Sequence, residues 1–238
     1  MRYKGIRSVR AQRGITGLET AIILIAFVVV ASVFAFTILS AGVQSSQANK
    51  QTVTAGLKET RTLLLQQGSA FAFQGDLGGS DTVYKVAFIV ANSLAGEPID
   101  MTPPYTADDS GTDPDYDAAN KSVTVVSYAD EDQRLLDLPW TVQFVGKSNG
   151  DNLLEDGEKA EVTVWLLDRD TSKAITATDS VAYMDGTADG GGTGGIDSSG
   201  TMIAKNTRFI VELTPQQGAP LTIQRTIPPG LRQVMNLQ

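Results

Sequence analysis

The stretch MRYKGIRSVRAQRGITGLETAIILIAFVVVASVFAFTILSAG, residues 1–42, decides the fold. Five basic residues (Arg2, Lys4, Arg7, Arg10 and Arg13) come first, with no acid among them. Gly14-Ile15-Thr16-Gly17-Leu18-Glu19 follows, then the uncharged run Ala21 to Leu39. A Sec-type leader is cut after its apolar region. Here the one plausible cut, between Gly14 and Ile15, precedes that region. It would remove the positive charge and leave a chain that begins with its own hydrophobic helix. The basic residues hold that end in the cytoplasm. The run Ala21 to Leu39 is about long enough to span a bilayer core. These residues alone leave a second reading open, an uncleaved signal anchor oriented by the same charges.

The helix is expected to continue past the membrane. No proline occurs before Pro98, and Val43, Val53, Leu57 and Leu64 recur at near-helical spacing. A helix over 15–67 is about 80 Å long at 1.5 Å per residue, far beyond what a bilayer needs. Gly68 is the expected C-terminal stop. Because Ala21 to Leu39 is apolar on every face, it must lie among lipid or among other helices. One fate is a permanent anchor carrying a stalk. The other is a spanning helix later withdrawn into a bundle, where close packing replaces lipid.

From Asp81 the periodicity becomes two. Strands are expected at Thr82–Ala91, Ser122–Tyr128, Trp140–Val145, Ala160–Leu167, Thr207–Leu213 and Leu221–Ile227, all rich in Val, Ile, Thr and aromatics. Turn-rich segments separate them. The fold class is therefore α+β: a long N-terminal α-helix, then an all-β outer domain over 68–238, sandwich- or barrel-like in the immunoglobulin manner. Trp140 and Trp165 alternate with apolar neighbours and belong to its core. Asp185 to Gly200, nearly all Gly, Asp, Ser, Thr and Ala, reads as a long flexible surface loop.

Composition removes most chemistry. The 238 residues include no Cys and no His, so thiol catalysis and the usual general base are absent. Gly190 to Gly195 lacks the Lys-Ser/Thr of a phosphate loop. No acidic pair is fixed as acid and base, and an enzyme is not expected. After the first fourteen residues the chain carries 14 basic against 27 acidic residues. Such a surface repels nucleic acid and keeps the exterior soluble.

A few residues stand out. Glu19 is the lone charge beside the apolar run, and an isolated carboxylate in hydrocarbon costs several kcal/mol, of order 2–4. Thr16-x-x-Glu19 matches a capping box. Alternatively, the α-amino group freed at Ile15 pairs with Glu19 and sets register between subunits. Asn149 to Glu158 gathers oxygen ligands of the kind Ca²⁺ prefers. Its spacing departs from an EF-hand loop, so Asp151, Glu155 and Asp156 are weak candidates for a structural Ca²⁺ beside a solvated acidic turn. No other cofactor is expected. Asn120-Lys121-Ser122 is an N-glycosylation sequon, expected on a surface.

The stretch Arg13 to Ala31, RGITGLETAIILIAFVVVA, closely resembles the archaeal flagellins (archaellins). Phe209 to Pro215 and Leu221 to Pro228 resemble that family's ending. The likeness covers both ends and about a third of the chain. It implies a class III signal peptide over 1–14, removed after Gly14 by a membrane-embedded peptidase of the prepilin-peptidase kind. It implies transient membrane insertion, then polymerisation with copies of itself through the helices. A membrane ATPase would drive assembly and rotation. The outer domains would decorate an extracellular swimming filament, N-glycosylated as is common there. As in type IV pilins, a glutamate at the position of Glu19 suits a pairing role. An archaeal adhesion pilin is the nearest alternative. A membrane-anchored extracellular binding domain is a further one.

Overall fold

In the computed structural model, residues 13–61, 63–93, 97–107, 114–116, 121–186 and 192–237 are described. The chain divides into two units, Met1–Ala55 and Gly56–Gln238. Among the described residues, the first is helix throughout. Helix α1 runs over Arg13–Arg61, 49 residues, or about 74 Å at 1.5 Å per residue. No proline interrupts it.

The helix stops six residues before the expected Gln67. Leu64–Gln67 is strand, paired antiparallel with Ile89–Asn92. Leu64 lies in the core at 2 % exposure, whereas Leu65 faces out at 46 %. That alternation belongs to a strand, and burial of Leu64 overrides its helical spacing from Leu57. The β domain therefore begins near Leu63 rather than at Gly68. Gly68 (φ 81°) is not a helix stop. It sits in a register shift between Gln67 and Phe71, where its positive φ suits a bulge.

The strands are β1 (Leu64–Leu77), β2 (Ser80–Asn92), β3 (Ile99–Asp100), β4 (Tyr105–Ala107), β5 (Pro114–Tyr116), β6 (Val125–Ala129), β7 (Arg134–Leu135) and β8 (Trp140–Phe144). They continue with β9 (Leu153–Leu154), β10 (Lys159–Trp165), β11 (Asp168–Arg169), β12 (Val181–Ala182), β13 (Arg208–Thr214), β14 (Leu221–Thr226) and β15 (Val234–Leu237). A five-stranded antiparallel sheet has the order β15-β1-β2-β10-β8, and a four-stranded one β14-β13-β6-β7. The remaining short strands pair two by two.

Both sheets feed one core. Ala70, Ala72, Val86, Phe88, Val90, Val162 and Val164 come from the larger sheet. Val126, Tyr128, Phe209, Val211, Leu213 and Ile223 come from the smaller. The expected sandwich class is thus met, with the two tryptophans buried as expected. Tyr128 stacks on Phe209 at 5.7 Å between ring centroids, and its hydroxyl donates to Asp130 at 2.7 Å. At one edge Arg225 of β14 donates to the Leu237 carbonyl (3.3 Å) and to Gln66 Oε1 (3.0 Å), joining the two sheets. At the β1–β2 turn, Asp76 accepts from the Gly79 and Asp179 amides, and Asp179 accepts from the Gly78 amide.

Residues 187–191 of the Asp185–Gly200 segment lie outside the described residues. Its described part is not a free surface loop, because Gly192, Gly195 and Ile196 are buried. Ile196 is fully buried; its amide donates to the Leu166 carbonyl at 2.7 Å and its carbonyl accepts from Met184. Glycine makes this possible. A Cβ on Gly195 would stand 2.6 Å from the Leu166 carbonyl oxygen and from Met184 Sδ. Side chains clamp the ends: Tyr105 Oη both accepts from the Thr193 amide and donates to its carbonyl, and Gln133 Oε1 accepts from the Thr201 amide. Composition alone suggests a flexible surface loop; the contacts explain why the glycines are there.

Two substitutions test this packing. Gly195→Ala is expected to cost ~1–3 kcal/mol through overpacking against a fixed carbonyl. Gly230→Ala, where a Cβ meets nothing within 4 Å, should stay within about 0.5 kcal/mol. Thermal unfolding followed by circular dichroism separates them.

A pH test follows from two surface carboxylates. Hydrogen bonds from Ser172, and then Lys173, hold Asp170 below the usual carboxylate range; Ser199 does the same for Asp197. A depressed folded pKa gives stability that is present above the ordinary carboxylate value and is lost as pH falls through the lower folded value. Asp170→Asn with Asp197→Asn should therefore lower stability at neutral pH, change it little in strong acid, and so flatten the acid limb of the stability curve, read by chemical denaturation across pH.

Candidate assembly site

Among the described residues, the apolar part of α1 is exposed on every face. From Leu18 to Leu39 every large apolar residue is exposed, from 54 % at Val30 to 73 % at Phe27. The residues Gly17–Leu57 form a helix long and apolar enough to cross a membrane. Fully burying a side chain such as Leu, Ile or Phe is worth about 1.5–3 kcal/mol. Fourteen left in water cannot be offset by anything else in a helix of this length. The helix is chemically prepared for a dry setting. Ser32 Oγ donates to the Val29 carbonyl (2.8 Å), Thr37 Oγ1 to Phe34 (2.9 Å) and Thr52 Oγ1 to Ala48 (3.0 Å). Each hydroxyl is satisfied by its own helix, so none is stranded in hydrocarbon.

The first site residues fall at the start of this helix. Gly14 and Ile15 lie in its first turn, so the bond between them is helical in the uncut chain. Thr16 also lies inside the helix. A capping residue has non-helical backbone, whereas the backbone of Thr16 is helical. Glu19 is exposed on α1.

The other candidates are in the β domain. Asn120 lies outside the described residues; Ser122, the sequon hydroxyl, donates to the Thr124 carbonyl at 2.8 Å. In the acidic turn, the Asn149 carboxamide nitrogen donates to Asp151 Oδ2 (3.1 Å) and Glu155 Oε2 (3.3 Å). Buried Glu158 accepts from the amides of Asn149 and Glu155. These bonds shape the turn. Among the described residues, no group of three or more His, Cys, Asp or Glu side chains is arranged to hold a metal ion.

One surface escaped the sequence reading. On the outward side of the five-stranded sheet, Leu65 (46 %), Phe71 (38 %) and Val234 (54 %) are exposed. The signal is in Ser69-Ala70-Phe71-Ala72-Phe73, where alanines point in and phenylalanines out. It was hidden because the neighbouring Leu64–Gln67 reads as helix.

An uncovered apolar rod joined to a two-sheet acidic domain defines a subunit made to be covered by other molecules. Residues 14–225 match the archaeal-type flagellin family, and the chain belongs to it. Probable flagellin 1 of Archaeoglobus fulgidus is 31 % identical over 240 residues, spanning 98 % of each chain. Probable flagellin 1 of Aeropyrum pernix is 27 % identical, over 93 % of this chain and 95 % of that one. The structure of the archaeal flagellum of Methanospirillum hungatei strain JF1 has a similar fold. It covers 93 % of this chain and 98 % of its own, with a TM-score of 0.55 at 21 % identity.

Hydroxyl satisfaction is testable in the same region. Thr37→Val keeps the shape and removes the internally bonded hydroxyl, so membrane insertion should be unchanged. Thr37→Asp places a charge in the run and should cost ~2.5–3.5 kcal/mol of insertion free energy. Glycosylation-mapped insertion assays read the difference.

Proposed function

We infer that this chain is a structural subunit of an archaeal flagellum filament, polymerised outside the cell for swimming. The carrying observation is the nearly full-length kinship with flagellins joined to a helix whose exposed apolar surface needs copies of itself. The kinship runs through the outer domain as well as the helix, which favours a flagellin over an adhesion pilin.

The steps before assembly follow from the first residues. The basic leader over 1–14 keeps the N-terminus at the cytoplasmic face, and the helix waits in lipid. A prepilin-peptidase-like enzyme cuts between Gly14 and Ile15. Two features support this: the family match begins at Gly14, and Gly14 and Gly17 weaken the first helical turn, each by ~1 kcal/mol relative to Ala, easing the extended geometry a peptidase requires. The freed Ile15 ammonium then lies within a turn of Glu19 along the helix. Pairing with Glu19 of the same or the next subunit neutralises both charges in the dry core. A membrane ATPase supplies the work of lifting helices from lipid into the bundle. Asn120 carries a glycan on the outer surface.

Sheared filaments should contain this polypeptide beginning at Ile15, by mass spectrometry of its first peptide; a chain beginning at Met1 refutes the processing step. Glu19→Ala should leave the protein in the membrane fraction but lower filament yield by tenfold or more, counted by electron microscopy. Ser122→Ala should remove one glycan mass from the intact subunit.

A further inference from the structure

The chain just before β6 carries both the sequon and one wall of a cavity. Lys121 and Ser122, the two residues that follow Asn120, line a cavity of about 610 Å³ with Tyr105, Leu136, Asp137 and Thr193. That volume falls within the range of about 300–1,000 Å³ found for small-ligand sites. Consecutive Cα atoms are about 3.8 Å apart, so a group attached to Asn120 is tethered one residue from this wall.

The opposite wall is held by backbone. Leu136 and Leu138 would share one face of a regular strand. Here Leu138 is fully buried while Leu136 is 62 % exposed. Between them Asp137 has a left-handed backbone (φ 57°), a conformation Asp tolerates better than most residues. It breaks the alternation, leaving Leu136 at the cavity and Leu138 in the core. Gly194 closes against this kink: a Cβ there would stand 2.9 Å from the Asp137 carbonyl oxygen. Buried Tyr105 pins the same segment, accepting from the Thr193 amide at 3.0 Å and donating to its carbonyl at 2.9 Å.

The lining is chemically mixed. Leu136 presents aliphatic surface, whereas exposed Lys121 and Asp137 present one charge of each sign. A sugar ring matches this, with C–H faces for the leucine and hydroxyls that both donate and accept. A saccharide carried on Asn120 also needs little intrinsic affinity, because a short tether gives it a local concentration on the order of millimolar. The sequon thus names the occupant of this cavity.

We propose that the cavity is a saccharide seat, in which the first sugars of a glycan on Asn120 pack against Leu136 and hydrogen-bond to Lys121 and Asp137. The proposal rests on the reading of Asn120 as a glycosylation site.

The absence of native cysteine permits a clean test. Leu136→Cys is made in the full chain with Asn120 intact, and again with Asn120→Gln, which removes the sequon. Val234→Cys, 54 % exposed on the five-stranded sheet, is the control in both backgrounds. Detergent-solubilised subunits are labelled with maleimide, so that no neighbouring copy shields them, and filaments of the glycosylated chain in parallel. Labelling follows the fraction of time a position is open, so position 136 should react at least ~10-fold more slowly with the glycan than without it, and position 234 should differ by less than about twofold. Equal rates at 136 in the two backgrounds overturn the proposal. So does equal slowing at both positions, the mark of a glycan that screens the whole domain. Slowing at 136 in filaments but not in subunits makes a second copy the occupant and overturns it too. Intact mass of the unsubstituted subunit keeps the two readings apart. A glycan mass with no protection at 136 sinks the seat alone; no glycan mass sinks the glycosylation reading and the seat with it.

Discussion

A helix apolar on all sides cannot be left in water, and everything else in this chain answers to that constraint. Folding of the chain by itself buries the interior of the β domain but leaves Leu18 to Leu39 uncovered. The protein must therefore exchange one dry environment for another, lipid first and then its own kind. The hydrophobic effect gives little preference between those two, since lipid tails are as apolar as leucine. Close packing between helices must provide it. Satisfied hydroxyls at Ser32 and Thr37 make both environments acceptable.

Charge is partitioned to match. Between Arg13 and Lys50 the helix has Glu19 alone, while nearly all the acid lies in the β domain. Acidic domains repel one another and stay soluble at high local concentration. That repulsion opposes assembly, so an attractive surface among the outer domains is valuable. No side chain here has an ordinary pKa between about 5 and 8. The balance of attraction and repulsion is thus steady across neutral pH.

The parts of the fold written in local pattern were legible. Strand β2 was visible in Val83 to Val90, and the helix in Ile15 to Leu57. What was not legible depends on distant partners. Leu64–Gln67 has helical spacing and becomes strand only because Ile89–Asn92 offers a ladder. The glycines of 192–200 look like a flexible surface loop until the Leu166 carbonyl and Met184 are seen against Gly195. The candidate site was half visible. Hydrophobicity around the whole of α1 can be read from composition. The outward apolar face cannot, because it is assembled from β1, β2 and β15, whose residues lie far apart along the chain.

Strand β1 leaves the helix after two residues and is hydrogen-bonded on both sides, by β2 and by β15. Any tension passed down the chain enters the domain through β1. Because this strand is paired on both sides, the rungs of two ladders share the load. A thread turned through a viscous medium is thereby tied to its coat by an interior strand and not by an edge.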